Sequence, residues 1–97
     1  MADSTTTEHR RLAVLKHLES SSEFTSNASI LNDVVNGVGV PTSEDQMRAC
    51  LSWLTEQELI EMADHGHVVV ATATVRGAEV ARGRATNPGV KRPSARR

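Results

Sequence analysis

Aromatic residues are scarce in this 97-residue sequence, which contains Phe24, Trp53 and no tyrosine. Proteins that bind single-stranded nucleic acid stack its bases on aromatic rings, so this class of protein is disfavoured. Cysteine is scarcer still, because Cys50 alone allows neither an intramolecular disulfide nor a zinc site built from cysteines. The sequence also lacks an apolar run of about 18 residues and a signal-peptide pattern. We therefore expect a soluble, cytoplasmic protein with no membrane partner.

The residue groupings that carry catalysis are missing as well. The chain has no glycine-rich phosphate loop, no paired carboxylates in an apolar setting and no Ser/His/Asp arrangement in a supporting context. Cys50 stands between Met47 and Leu54 on an apolar helix face, where a lone cysteine is usually a small core residue. We expect a protein that is not an enzyme and needs no cofactor.

Charge is unevenly distributed along the chain, although the formal net charge is only −1. The apolar content of 38% is enough for one domain with a modest core. Residues 1–73 hold four Lys or Arg against eleven Asp or Glu, whereas residues 74–97 hold seven against Glu79 alone. An acidic body with a basic end indicates that the end is an arm that binds a polyanion. A solvated tail that keeps a small protein soluble explains the pattern equally well.

Two amphipathic helices are predicted in the first part of the chain. Residues 1–6 are polar without periodicity and are expected to be flexible. Leucines spaced three residues apart predict a helix over residues 7–20. Capping residues at 25–27 start a second helix that reaches about residue 36, before a turn rich in glycine at residues 37–41. The apolar face of the second helix would comprise Ile30, Leu31, Val34 and Val35.

A third helix leads directly into a predicted β-hairpin. Ser43 and Gln46 have the spacing of a capping box, which opens this helix. Two β-rich runs follow at residues 59–63 and 68–73, and the gap at residues 64–67 contains Asp and Gly, which favour a tight turn. A helix followed by a hairpin is the second half of a winged helix-turn-helix, a fold that mostly places its helix in a DNA groove.

The last part of the chain predicts a short helix and a tail. Thr74 can cap a helix that ends near Gly83, and residues 85–97 are predicted to form a basic extended tail. The apolar positions of all these elements predict one core, made of Leu12, Leu15, Leu18, Leu31, Val34, Val35, Met47, Leu51, Leu54 and Ile60.

The stretch from residue 8 to residue 93 resembles a family of small proteins from Mu-like phages and prophages, described as winged-helix proteins akin to the ArsR class of transcriptional regulators. The resemblance is carried by SEDQMR at 43–48, LSWL at 51–54, LI at 59–60, TVRGAEVARGR at 74–84 and PGVKRP at 88–93. Such proteins commonly carry a glycine where this chain has Glu58, at the end of the third helix.

The resemblance implies an α+β, mainly α, winged helix-turn-helix fold over residues 7–84. This fold has a three-helix core, a β-hairpin wing and a short C-terminal helix, and the basic tail follows it. The resemblance also implies a phage origin, a location in the cytoplasm of the host bacterial cell and a role in binding DNA.

The predicted DNA contacts lie on the third helix, on the hairpin tip and in the basic end. Arg48 can donate a bidentate pair to guanine, although pairing with Glu44 or Ser52 would leave it a solvated surface residue. His65 and His67 are too few for a zinc site, so we expect turn residues that contact phosphate at most. The full predicted set is Asp45, Arg48, Ser52, His65, His67, Arg76, Arg82, Arg84, Lys91 and Arg92.

Two functions are consistent with these features. The first is a phage-encoded transcriptional regulator that binds double-stranded DNA, with a homodimer as one possible form. The second is a winged-helix interaction module whose acidic body docks a phage protein during assembly or packaging, without sequence-specific DNA readout. The third helix favours the second function, because Glu44, Asp45 and Glu56 ring its exposed face and Arg48 is its one cation.

Overall fold

The computed structural model describes residues 4–93, which form four α-helices and a three-stranded antiparallel sheet. The predicted α+β, mainly α, class is confirmed. In chain order the elements are α1 (Thr5–Glu19), β1 (Thr25–Asn27), α2 (Ala28–Gly37), α3 (Glu44–Glu56), β2 (Ile60–Asp64), β3 (Val69–Ala73) and α4 (Val75–Arg82). Residues 1–3 and 94–97, the outer parts of the predicted flexible N-terminus and basic tail, lie outside the described residues.

Side-chain caps explain where the helices begin. The Ser43 hydroxyl accepts from the backbone N–H of Gln46, and the Gln46 side chain accepts from the N–H of Ser43, so the predicted capping box opens α3. Thr74 caps α4 as predicted, by accepting from the N–H of Gly77 at 3.0 Å. The first helix begins at Thr5, two residues earlier than predicted, because Ser4 caps it.

The sheet has the strand order β1-β3-β2, so the predicted hairpin supplies its central strand and one edge. Ile60 pairs with Ala73 at one end of the hairpin, and Asp64 pairs with Val69 at the turn. The Asp64 side chain accepts from the N–H of Gly66, whose φ of 87° is in the region that glycine favours. The hairpin prediction is confirmed, with both strands beginning one residue later than expected.

The core lies between the helices and one face of the sheet. Nine of the ten predicted core residues are buried, and Val34 is the exception at intermediate exposure. The predicted apolar face of α2 was wider than the buried one, since Ile30 is 46% exposed while Leu31 and Val35 are fully buried. Leu31 and Val35 stand one helical turn apart, so α2 buries a narrow stripe and leaves its flanks to solvent.

Two adjacent arginines of α1 are buried and hold loops against the domain. Arg10 donates from Nε to the Thr42 hydroxyl and from Nη2 to the Pro41 carbonyl, both at 2.9 Å. These bonds tie the connection between α2 and α3 to α1. Arg10 and Arg11 are each only 6% exposed, so neither contributes its charge to the surface.

The segment after α4 has no helix or strand up to Pro93, yet it is packed against the domain. Val90 is 5% exposed and belongs to the core, and the backbone N–H of Lys91 donates to the Glu8 carbonyl in α1. The described part of the predicted tail is therefore a docked segment, because an apolar residue anchors it.

Candidate nucleic-acid interface

The exposed face of α3 carries three predicted contact residues. Asp45, Arg48 and Ser52 are all exposed, and Nη1 of Arg48 lies 3.7 Å from Oδ1 of Asp45. The partner of Arg48 is thus Asp45, whereas the sequence suggested Glu44 or Ser52. The pair contributes little to stability because both side chains are more than 70% exposed, at 75% and 96%. Arg48 can therefore exchange Asp45 for another acceptor.

The hairpin tip carries the two predicted histidines, and both are exposed. The backbone N–H of His65 donates to the Val68 carbonyl at 2.8 Å, which closes the turn. Within residues 4–93 there is no group of three His, Cys, Asp or Glu side chains that could hold a metal ion. His67 also lines a cleft beside α3.

That cleft, of about 410 Å³, separates α2 and α3 from the hairpin. Its apolar lining includes Met47 and Leu51 of α3 and Met62 of β2. Its polar lining includes the acidic residues Asp33 and Glu44, the basic residues Arg48 and His67, and also Asn32 and Ser29. No local sequence pattern predicts this cleft, because its residues come from α2, α3 and the hairpin, which only the fold brings together.

One acceptor atom of the cleft residues has no hydrogen-bond partner. Oδ1 of Asn32 is buried and unbonded among the described residues. A buried acceptor without a donor costs about 1–3 kcal/mol.

The cations of α4 are unequally available to a partner. Nε of Arg82 lies 2.9 Å from Oε2 of Glu19, so this predicted contact residue links α4 to α1. Arg76 donates to the Thr86 carbonyl at 3.2 Å and remains exposed. Arg84 is exposed, and no side-chain bond to another described residue is present.

The docked segment is held by Arg11 and Trp53, which the sequence analysis did not single out. Nη1 of Arg11 donates to the Gly89 carbonyl at 2.9 Å, and the guanidinium carbon lies 3.7 Å from the centroid of the Trp53 ring. The sequence contained a signal for Arg11, which stands four residues before Leu15 and seven before Leu18, on the apolar stripe.

Gly89 fits this contact because it has no side chain. A Cβ there would collide with the Trp53 ring. Asn87 adds two bonds, since its Nδ2 donates to Oε1 of Gln57 and its Oδ1 accepts from the N–H of Gly89. These contacts hold Asn87 and Gly89 against the C-terminal part of α3.

The predicted contact residues thus form two groups on opposite sides of the exposed α3 face. On one side Arg48 and His67 share the cleft. On the other side the docked segment contacts Trp53 and Gln57, with Lys91 half-buried and Arg92 exposed. The structure does not bring the cations of α4 into the cleft.

Cys50 is buried in the core, as its apolar neighbours predicted. Burial raises the pKa of the Cys50 thiol from 9.0 to about 11, and the nearby charges of Arg11 and Arg10 offset part of that shift. The thiol is therefore protonated at neutral pH.

Comparison with known proteins gives two relatives. The chain is 41% identical over 90 residues to "Uncharacterized protein gp26" of Escherichia phage Mu, and the match covers 93% of each protein. An "Uncharacterized protein" of Haemophilus influenzae is 40% identical over 67 residues, which cover 67% of this chain and 65% of the relative. No family model and no solved structure matches the sequence.

The chain is a Mu-like phage protein. It belongs to the family of gp26 of phage Mu, as the identity over nearly the full length of both proteins shows. No helix of residues 4–93 is both long enough and apolar enough to cross a bilayer.

Proposed function

We propose that this chain is a winged-helix protein that binds double-stranded DNA and regulates transcription in a Mu-like phage. The element order supports the proposal, because three helices precede a hairpin in the positions of a winged helix-turn-helix. In this assignment α3 is the recognition helix and the β2–β3 hairpin is the wing. The protein would act by binding, without a catalytic step.

The observation that carries the proposal is the docked basic segment. Gly89 is fixed between Arg11 and Trp53 of the recognition helix, and the N–H of Lys91 donates to the Glu8 carbonyl of α1, so the backbone that carries Lys91 and Arg92 is held against the domain. A preordered cation binds a phosphate with less loss of conformational freedom than a cation on a free tail. The segment would contact the backbone of a duplex whose major groove receives α3.

Within this interface the cations have different tasks. Arg48 is exposed on the cleft side of the α3 face and would read guanine. Arg84, Lys91 and Arg92 would contact phosphates and position the protein, while Arg82 is engaged with Glu19.

A salt titration of binding tests this division of tasks. We expect the logarithm of the affinity of the full chain for a duplex to fall linearly with the logarithm of salt concentration. Replacing Arg84, Lys91 and Arg92 with Gln should flatten the slope by up to about 0.9 per lost contact. Lys16→Gln is the matched control, because Lys16 is an exposed cation outside the predicted interface. Affinity that does not depend on salt contradicts phosphate-driven binding.

Specificity is tested separately with Arg48→Ala. We expect this variant to lose about 1–3 kcal/mol of discrimination between a cognate duplex, once selected from a random pool, and an unrelated one. Its salt slope should change by less than that of the triple Gln variant. Unchanged discrimination in a competition assay removes α3 from the readout.

The charge of α3 favours a second candidate, an interaction module for a phage protein in assembly or packaging. Glu44, Asp45 and Glu56 are exposed on this helix, and Asp45 pairs with its one cation. Carboxylates repel DNA phosphates and attract a basic protein surface. Absence of duplex binding at low salt would make this candidate the better one.

A further inference from the structure

The cleft between α2, α3 and the hairpin has the chemistry of a receptor for a long cationic side chain. Met47, Leu51 and Met62 provide an apolar wall for a methylene stem. Asp33 and Glu44 provide carboxylates for a positive end group.

Arginine and lysine satisfy both requirements, because each has an apolar stem and a charged end with several donors. Arg48 also lines the cleft, but it is paired with Asp45. A phosphate would face Asp33 and Glu44 and would bring no apolar surface for the wall. The cleft therefore suits a basic side chain better than a phosphate.

The chain itself carries such a segment at its other end. Arg84 and Arg92 are exposed, and no hydrogen bond or ion pair joins their side chains to another residue of the range 4–93. Within one molecule this segment is docked on the Trp53 side of α3, away from the cleft. A second molecule can bring its basic segment to the cleft, where the basic segment of the same molecule does not lie.

We propose that the cleft binds the basic end of a second copy of this chain, with an arginine of that end entering between Asp33 and Glu44. The contact joins two different surfaces, so it is head-to-tail, and successive copies add to a growing row or close into a ring. The acidic body and basic end thus complement each other between molecules. The contact is electrostatic at its rim, so salt weakens it.

DNA and the cleft would compete for the same arginines. This competition, unlike the self-association itself, rests on the proposed DNA binding. A duplex added to the associated protein would then separate the copies, and association would hold the basic end away from DNA.

Sedimentation velocity of the full chain tests the self-association. We expect the mean mass to rise with protein concentration at low salt and to return to that of a monomer at about 1 M salt, where the Debye length is about 3 Å. A rim variant with Asp33→Lys and Glu44→Lys should weaken association at least about tenfold, as should a basic-end variant with Arg84→Glu and Arg92→Glu.

Two comparisons separate this contact from a general effect of charge or folding. The control is Glu23→Lys with Glu61→Lys, which makes the same charge change at exposed residues outside the cleft lining and should leave association within about twofold of the unchanged chain. Mixing the rim variant with the basic-end variant should restore association, since each then meets a surface of opposite charge.

The proposal is overturned if the unchanged chain is monomeric at low salt, if the rim variant associates normally, or if the mixture stays dissociated. A duplex-binding assay on the same samples keeps the two proposals apart. A chain that associates but binds no duplex supports the cleft contact and contradicts the DNA proposal, whereas a monomeric chain that binds duplex does the reverse.

Discussion

Glu58 occupies a backbone position that favours glycine. Its φ of 62° is left-handed, and it follows the last turn of α3, where its N–H donates to the Thr55 carbonyl. The N–H of Leu59 donates to the Leu54 carbonyl, which completes a Schellman motif. The helix therefore ends as it would with the glycine that the resembling proteins carry, at the cost of a strained glutamate.

We predict that Glu58→Gly raises the free energy of unfolding by about 0.5–1 kcal/mol, because glycine removes the steric strain but has more freedom in the unfolded chain. Urea denaturation measures the change. Glu56→Gly is the matched control. Glu56 is helical, so glycine there should lower the free energy of unfolding by up to about 1 kcal/mol. Equal losses at both positions would contradict the prediction.

Cys50 makes stability depend on pH at the alkaline end. Its folded pKa of about 11 lies above the usual 9.0, so the folded state keeps the proton while the unfolded state releases it. The contribution is fully present below about pH 9 and is lost as the pH rises toward 11.

We predict that the unchanged chain loses about 1–3 kcal/mol more stability between pH 9 and pH 11 than Cys50→Ala does. Denaturation of both proteins across this range measures the difference, and the shared lysines cancel in the comparison. Parallel curves for the two proteins would mean that burial does not hold the thiol proton.

At the scale of elements, α4 approaches the end of α3 closely enough to require a glycine. A Cβ on Gly77 would collide with the backbone carbonyl of Leu59, which also accepts from the N–H of Thr74. Leu59 is fully buried where the chain enters β2, so this carbonyl has little freedom to move. Gly77 therefore sets the distance between α4 and the start of the hairpin.

We predict that Gly77→Ala destabilises the protein by about 1–3 kcal/mol, although alanine is the better helix former. Gly37→Ala is the control, because Gly37 ends α2 with no atom within 4 Å of an added Cβ, and it should be neutral or stabilising. Thermal unfolding should show a lower Tm for Gly77→Ala and an unchanged or higher Tm for Gly37→Ala. A stabilising Gly77→Ala would contradict the close approach.

At the scale of the whole molecule, the docked segment joins the two ends of the chain. Arg11 of α1, Trp53 of α3 and Gly89 meet at one point, and Val90 enters the core beside them. This contact joins Arg11 and Gly89, which are far apart in the sequence.

We predict that Gly89→Ala undocks this segment, because the added Cβ would enter the Trp53 ring. Trp53 fluorescence should shift to the red, and hydrogen exchange at the Lys91 amide should accelerate at least about tenfold. Pro88→Ala, at an exposed neighbour, should change neither. An unaltered Trp53 spectrum in Gly89→Ala would refute the contact.

Local sequence signals determined most of the elements. The capping box of Ser43 and Gln46, the cap at Thr74 and the turn containing Gly66 act over a few residues, so they can be identified without the fold. Helical periodicity likewise identified most of the core. It overestimated the buried face of α2 at Ile30, because periodicity marks an apolar face without showing how much of it a neighbour covers.

Only the tertiary structure decided where the charges act. From the sequence, Arg10 and Arg11 belonged to the acidic body and residues 85–97 were predicted to form a tail. Folding instead buries both arginines and docks the segment up to Pro93 on Arg11 and Trp53. Folding also pairs Arg82 with Glu19 and forms the cleft beside α3. These contacts join residues tens of positions apart, and their energies depend on burial and distance, which the order of residues does not specify.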